Sequence, residues 1–197
     1  HNGILFLDEL PEFSRLVLEG LRQPLEEYNV TVSRACGSVR YPARCLVVGA
    51  MNPTRDGRLP GRRGADAMAK LSAPLLDRFD LHVEVPRIPF SVLRRAKTGQ
   101  STADLRRAVT GARSMMLQRQ QGNLNGQLSG SELDVHGRFE VNSLDALEQS
   151  MTHLDLTARA WNRLRRVART IADLDGSETV EVAHVEEAVL YRSTVAI

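Results

Sequence analysis

The sequence predicts an α/β segment followed by an all-α bundle, and three observations predict it. Over residues 1–86 short β-like apolar runs alternate with helical ones. Over about 91–192 helical periodicity is almost unbroken. Between them Val85-Pro86-Arg87-Ile88-Pro89-Phe90 carries two prolines, which neither continue a helix nor sit in a central strand, so it reads as a stiff linker. The 197 residues, 42% hydrophobic and 25% charged with a net charge of +2, suit one large or two small globular domains. No apolar run reaches the roughly 20 residues of a membrane span, so no membrane partner is expected. No secretory signal precedes the first strand, so the cytoplasm is expected. Two cysteines, Cys36 and Cys45, make neither a disulfide scaffold nor a four-cysteine zinc site.

Ile4-Leu5-Phe6-Leu7 is a continuous apolar run, as in a parallel strand covered on both faces, and it ends in Asp8-Glu9. A helix is predicted over Ser14–Glu27, with Leu16, Val17, Leu21 and Leu25 on its apolar side. Val30-Thr31-Val32 and Ser38-Val39-Arg40-Tyr41 flank Ala35-Cys36-Gly37 as a β-hairpin. Cys45–Ala50 is a second buried strand, ending in Met51-Asn52-Pro53. Residues 54–66, rich in Gly, Arg and Asp, read as a mobile loop. A short helix near 71–77 leads through Asp77-Arg78-Phe79-Asp80 into a last strand, Leu81–Val85. Residues 1–86 are expected to expose sheet edges.

The second half predicts a helix over Thr102–Gln120 with Leu105, Val109, Ala112, Met116 and Leu117 inward. Ser129 with Glu132 reads as a capping box opening a short helix. Helices follow over Ser143–His153, after Thr157 with the stripe Trp161, Leu164, Ala168 and Ile171, and over Val182–Tyr191. A core around Trp161 is expected. Arg163, Arg165, Arg166 and Arg169 are expected to snorkel beside that stripe rather than form a nucleic-acid patch.

Asp8 and Glu9 are the sharpest chemical feature. They close a buried strand at its carboxyl end, where open α/β sheets bind ligands. In a nucleotide hydrolase the first carboxylate would hold Mg²⁺ and the second would polarise the attacking water; a helix start that favours acidic residues explains them equally. The neutral amide of Asn52 can bond a water or a phosphate oxygen, or Asn52-Pro53 only starts a turn. The guanidinium of Arg78 suits phosphate, or it pairs with Asp77 and Asp80. Arg159 lies in the first helical turn after Thr157, where the helix dipole disfavours a cation, which points to a ligand or to simple solvation. His82-x-Glu84 lacks the Pro-Cys-x-x-Cys of a zinc deaminase, and a metal site there is not expected. Lys70 and Lys97 are the only lysines, and neither completes a G-x-x-x-x-G-K-[ST] loop.

In combination these pieces resemble a known family. Ile4-Leu5-Phe6-Leu7-Asp8-Glu9-Leu10, Pro42-Ala43-Arg44 before the strand ending Met51-Asn52-Pro53, and Leu75-Leu76-Asp77-Arg78-Phe79-Asp80 resemble the AAA+ ATPases. Leu7–Phe13, Leu21–Glu26, Thr157-Ala158-Arg159 and Arg166–Leu174 are similar to the magnesium-chelatase-like branch of competence-protein (ComM/YifB) type. The resemblance covers essentially the whole chain. It implies a partial AAA+ (P-loop NTPase) core lacking its Walker A unit over 1–86, from Walker B to the final strand, and an all-α lid bundle over 87–197. It implies ATP and Mg²⁺ as cofactors, Asp8 and Glu9 as the Walker B pair with Asp8 on the metal, and Asn52 as the sensor that positions water. It also implies Arg78 as a finger reaching a neighbouring subunit's nucleotide, Arg159 as the lid arginine facing the γ-phosphate, and 29–41 as a hairpin facing the pore of hexameric relatives.

The sequence departs from the family in two places. No Walker A loop is present, and the chain opens at His1-Asn2-Gly3, so it reads as the carboxy-terminal part of a longer protein and is expected to be inactive as an ATPase by itself. Thr54-Arg55-Asp56-Gly57 stands where many relatives carry cysteines, which argues against a metal site there. The leading reading is a homo-oligomeric ring ATPase that remodels DNA in uptake or recombination. The alternatives are a chelatase motor that drives Mg²⁺ into a tetrapyrrole, and a non-catalytic interaction module.

Overall fold

A computed structural model describes residues 1–52, 71–94 and 99–193, without the side chains of Leu93 and Ser193. The chain divides into two compact units, His1–Phe79 and Asp80–Ile197. The loop expected at 54–66, with Thr54–Gly57, lies outside the described residues.

In the first unit, β1 (Gly3–Leu7) pairs in parallel with β4 (Cys45–Gly49), with Gly3 opposite Cys45 and Leu7 opposite Gly49. A parallel pair needs a long crossover. Here it consists of α1 (Arg15–Gly20), α2 (Arg22–Glu27) and the antiparallel hairpin β2 (Asn29–Arg34) and β3 (Gly37–Pro42), which turns at Ala35-Cys36. The single helix expected over 14–27 is two. Pro24 has no N–H to give the Gly20 carbonyl its i−4 bond, and the chain breaks at Leu21. Helix α3 (Ala73–Leu76) is capped by Ser72, whose hydroxyl accepts from the Leu75 N–H.

Leu7, Leu10, Leu18, Leu71, Leu75 and Leu76 form the core of this unit, with Phe13, Leu21, Leu25, Val47 and Phe79 packed against it. The apolar run of β1 is covered on one face only. Ile4 (72% exposed) and Phe6 (60%) lie in register with Leu46 and Val48 as one open apolar face, because α1, α2 and α3 supply core to the other face. Among the described residues this sheet has two members, so both strands are edges.

In the second unit the strand expected at Leu81–Val85 does not form. Alternating residues make a strand only with a ladder partner, and the backbone bond recorded for this stretch runs from His82 N–H to the Tyr191 carbonyl at 2.8 Å. A short helix α4 (Phe90–Leu93) follows. The bundle then comprises α5 (Thr102–Arg119), α6 (Gly130–His136), α7 (Val141–His153), α8 (Ala158–Leu174) and α9 (Val182–Ser193). Capping boxes start two of them, Ser101 with Asp104 on α5 and Ser129 with Glu132 on α6. The core gathers on α8: Ala160, Leu164, Ala168, Ile171 and Ala172 meet Leu147, Val180, Val185 and Ala188, while Trp161 packs at the margin. Only Ala112 and Met116 of the expected α5 stripe are buried, and Leu105 and Val109 stay half exposed.

Two of the arginines of α8, Arg165 and Arg169, are buried rather than snorkelling as expected. Arg169 is fully buried and donates to the carbonyls of Gly137, Ser177 and Glu178 and, at 3.0 Å, to the Asp173 carboxylate. Burial lowers its pKa and Asp173 opposes that effect. Arg119 of α5 reaches the same carboxylate with two bonds, of 2.5 and 2.8 Å, and Asn125 adds a third donor at 2.7 Å. Arg165 pairs with Asp134 and lies over the rings of Phe139 and Trp161.

Removing one partner of a buried ion pair leaves an uncompensated charge, a loss of about 3–5 kcal/mol. Asp173→Ala, which strands two buried guanidinium groups, is expected to destabilise the helical unit by that amount. Urea denaturation followed by Trp161 fluorescence measures it, and an unshifted midpoint contradicts the network's role.

Hydrogen bonds from Arg22 and Ser72 hold the Glu19 carboxyl below its usual range; those from Ser101 and Arg107 do so for Asp104, and those from Ser129 for Glu132. A carboxylate whose folded pKa is depressed stabilises the fold above its unfolded pKa and loses that contribution as pH falls through the folded value. The starts of α5 and α6 are therefore expected to fray below about pH 4. Amide exchange at Asp104 and Glu132 followed from pH 6 to pH 3 reads this, and unchanged protection contradicts it.

Candidate functional site

The carboxyl ends of β1 and β4 are joined through one residue. The Ala50 N–H donates to the Leu7 carbonyl at 2.8 Å, and the Leu10 N–H donates to the Ala50 carbonyl at 2.9 Å. Asp8 and Glu9 therefore leave β1 at the same end of the sheet at which Met51 and Asn52 leave β4. Leu10 packs against Gly49, where an added Cβ would lie 3.1 Å from the leucine side chain. All three site residues are exposed.

Glu9 has φ 49° and ψ 50°, left-handed values that cost a non-glycine residue about 1–3 kcal/mol. It precedes the 3₁₀ turn Leu10–Glu12, where Pro11 fits because the first turn leaves its N–H groups unpaired. The Asp8 carboxylate accepts the Glu9 N–H at 3.0 Å, so one carboxylate braces the strained peptide while the Glu9 side chain makes no capping bond. Hard oxygen donors of this kind fit Mg²⁺, which is commonly held by one or two carboxylates plus waters and phosphate oxygens. No cluster of three or more His, Cys, Asp or Glu able to hold a metal by itself occurs among the described residues, His82 and Glu84 included.

Arg78 follows α3 in the same unit and is 7% exposed. Its guanidinium donates to the Pro74 carbonyl and, at 2.6 Å, to Glu26 at the end of α2, and its Nε is buried with no hydrogen-bond partner. The partner is thus a residue 52 positions away rather than the neighbouring Asp77 or Asp80. Glu26 was missed by sequence reasoning, since nothing local singles it out. Arg159, the second residue of α8, is exposed in the other unit. The structure thus brings Asp8, Glu9 and Asn52 to one sheet end, places Arg78 beside α2, and leaves Arg159 in the helical unit.

The hairpin carries the other concentration of unused chemistry. Every residue from Thr31 to Pro42 is exposed. From Tyr28 to Arg44 there are three arginines, Arg34, Arg40 and Arg44, and no carboxylate. Arg44 lies over the Tyr28 ring, 5.4 Å from its centre, and Tyr41 is 54% exposed.

Residues 1–93 match the family described as "Magnesium chelatase, subunit ChlI", and residues 99–192 match "Magnesium chelatase, subunit ChlI C-terminal". YifB of Escherichia coli (strain K12) is 41% identical over 201 residues, covering 98% of this chain and 40% of that protein. Competence protein ComM of Haemophilus influenzae is 38% identical over 204 residues, covering all of this chain and 40% of ComM. The chloroplastic magnesium-chelatase subunit ChlI-2 of Arabidopsis thaliana is 24% identical over 192 residues, 94% of this chain and 41% of that subunit. The chain thus spans about 40% of the length of the curated relatives it matches. No helix among the described residues is long and apolar enough to cross a membrane. With both halves matched in order and YifB and ComM aligned along almost its whole length, this chain belongs to the magnesium-chelatase-like, AAA+-related ATPase family and is of ComM/YifB type.

Proposed function

We propose that the chain supplies the water-activating and arginine-bearing part of a ring ATPase that acts on DNA. The observation that carries the DNA reading is the hairpin: an exposed arm with two arginines, Arg34 and Arg40, a third, Arg44, just beyond its second strand, no compensating carboxylate and an exposed tyrosine suits a phosphate backbone with unstacked bases. In this reading Asp8 holds Mg²⁺, which neutralises phosphate charge when bound. Glu9 polarises the attacking water and Asn52 orients it. Arg159 faces the γ-phosphate from the helical unit, which forms the lid domain (87–197) to the core domain (1–86). ATP reaches the site only together with a phosphate-binding loop, and these 197 residues contain no such G-x-x-x-x-G-K-[ST] run.

Arg78 acts in trans, on ATP held by the next subunit, an effect worth about 10³–10⁵ in rate for known fingers. In the assembled ATPase carrying this chain, Arg78→Ala leaves a sound pocket without a finger, and Glu9→Gln leaves a sound finger beside a dead pocket. Each variant alone is expected to be inactive, and mixing them in one ring to restore turnover. No recovery in rings shown to be mixed refutes action in trans.

Single-stranded DNA is expected to raise ATP turnover. Arg34→Ala and Arg40→Ala are each expected to weaken binding uniformly across sequences and lower the salt slope by about 1. Fluorescence anisotropy across a salt series measures both. Turnover that ignores DNA but responds to a tetrapyrrole favours the chelatase motor instead.

A further inference from the structure

In the position described, Arg78 is buried and held, and the residue that holds it stands at the foot of the hairpin. We propose that Glu26 is a positioning residue that keeps Arg78 withdrawn and couples its release to the β2–β3 hairpin. The proposal rests on the reading of Arg78 as a finger.

Three observations support it. First, the hold is specific but incomplete: the guanidinium spends one amine on Pro74 and one on Glu26 Oε2, while its Nε stays buried and unbonded. A buried donor without a partner favours any alternative in which it is satisfied. Second, the joint beyond Glu26 is strained. Tyr28 ends α2 in the left-handed region, at φ 56°, and Asn29, the first residue of β2, is buried with its Oδ1 unbonded while its Nδ2 donates to the Glu27 carbonyl at 2.6 Å. Third, α2 is bonded to the hairpin: Gln23 Oε1 accepts the Thr31 N–H, its Nε2 donates to Thr31 Oγ1, and the Ala43 N–H donates to the Tyr28 carbonyl. When Arg78 moves to a phosphate, this ion pair between the last turn of α2 and the residue that follows α3 is broken. The hairpin foot is the next link in that chain of bonds. The Ser72–Glu19 bond at 2.7 Å still ties α3 to α1, so the unit survives the exchange.

The experiment compares Glu26→Gln and Arg78→Ala in the assembled ATPase carrying this chain, with amide exchange on the 197-residue chain as a readout independent of turnover. The neutral amide of Gln keeps the shape of Glu26 and holds a guanidinium less tightly. Glu26→Gln is expected to raise basal turnover several-fold, to leave KM for ATP unchanged and to narrow the stimulation by single-stranded DNA. Arg78→Ala is expected to lower turnover by about 10³-fold or more. Both variants are expected to speed amide exchange at 29–31, 41 and 43 while Gly3–Leu7 is unchanged. If Arg78→Ala keeps its turnover, the finger reading and this proposal fall together. If Arg78→Ala is inactive but Glu26→Gln leaves basal turnover unchanged or lower, the holding role falls and the finger reading stands. Exchange that does not change at the hairpin foot, or rises evenly across the unit, overturns the coupling.

Discussion

The two backbone hydrogen bonds through Ala50 determine where the chemistry of the first unit can lie. A five-residue parallel pair with no further described strand has little to fix its ends, and its slanted bonds are slightly weaker per residue than antiparallel ones. By accepting from Leu10 and donating to Leu7, Ala50 closes the strand ends into one rigid corner. The left-handed Glu9 sits on that corner, so its strain is held by bonds on both sides rather than released by a local turn of the chain. Leu10, clamped between Ala50 and Gly49, then seeds the leucine core against which α1 and α3 pack. The positions of Asp8, Glu9 and Asn52 are in this sense consequences of packing.

The second unit meets a different problem. Its longest helices carry many arginines and few large apolar residues, so hydrophobic burial alone leaves guanidinium groups in the interior. Asp173 solves this by collecting donors from α5, from α8 and from the turn at Asn125, while three backbone carbonyls accept from the terminal amines of Arg169. Such a network is costly unless it is nearly complete. It is also directional, which an apolar core is not: only one rotation and height of α5 against α8 lets Arg119 present both amines to one carboxylate.

What was legible in the sequence follows the range of the physics. The helix start marked by Ser129 with Glu132 is a local event, settled within four residues, and was readable; the box of Ser101 with Asp104 is equally local and was not read, although the helix it opens was placed from Thr102. The hairpin was readable because its turn and its alternation lie within fourteen residues. The carboxyl end of β1 was readable because an apolar run closed by Asp8-Glu9 is a local pattern. The strand at Leu81–Val85 was not, since a strand is defined by a partner that the pattern does not contain. Leu105 and Val109 matched a helical stripe, yet periodicity states only which side of α5 is apolar, not how far a neighbour extends along it. Arg78 and Glu26, like Arg119 and Asp173, are paired across more than fifty residues. The spacing Arg165, Arg169, Asp173 along one line of α8 was the available hint of a buried polar stripe.

Gly49 bears on how defects in such a protein are interpreted. It carries no functional group, yet any side chain there would press on Leu10 at 3.1 Å, and Leu10 is already enclosed. Leu10 is joined to Glu9 by a single peptide unit, so that pressure would bear directly on the corner that carries the carboxylate pair. Loss of activity from a change at position 49 would thus mimic the removal of Asp8 or Glu9 while both remained in place. A screen that infers chemistry from phenotype would count this silent glycine among the active-site residues, although its contribution is purely one of vacant volume.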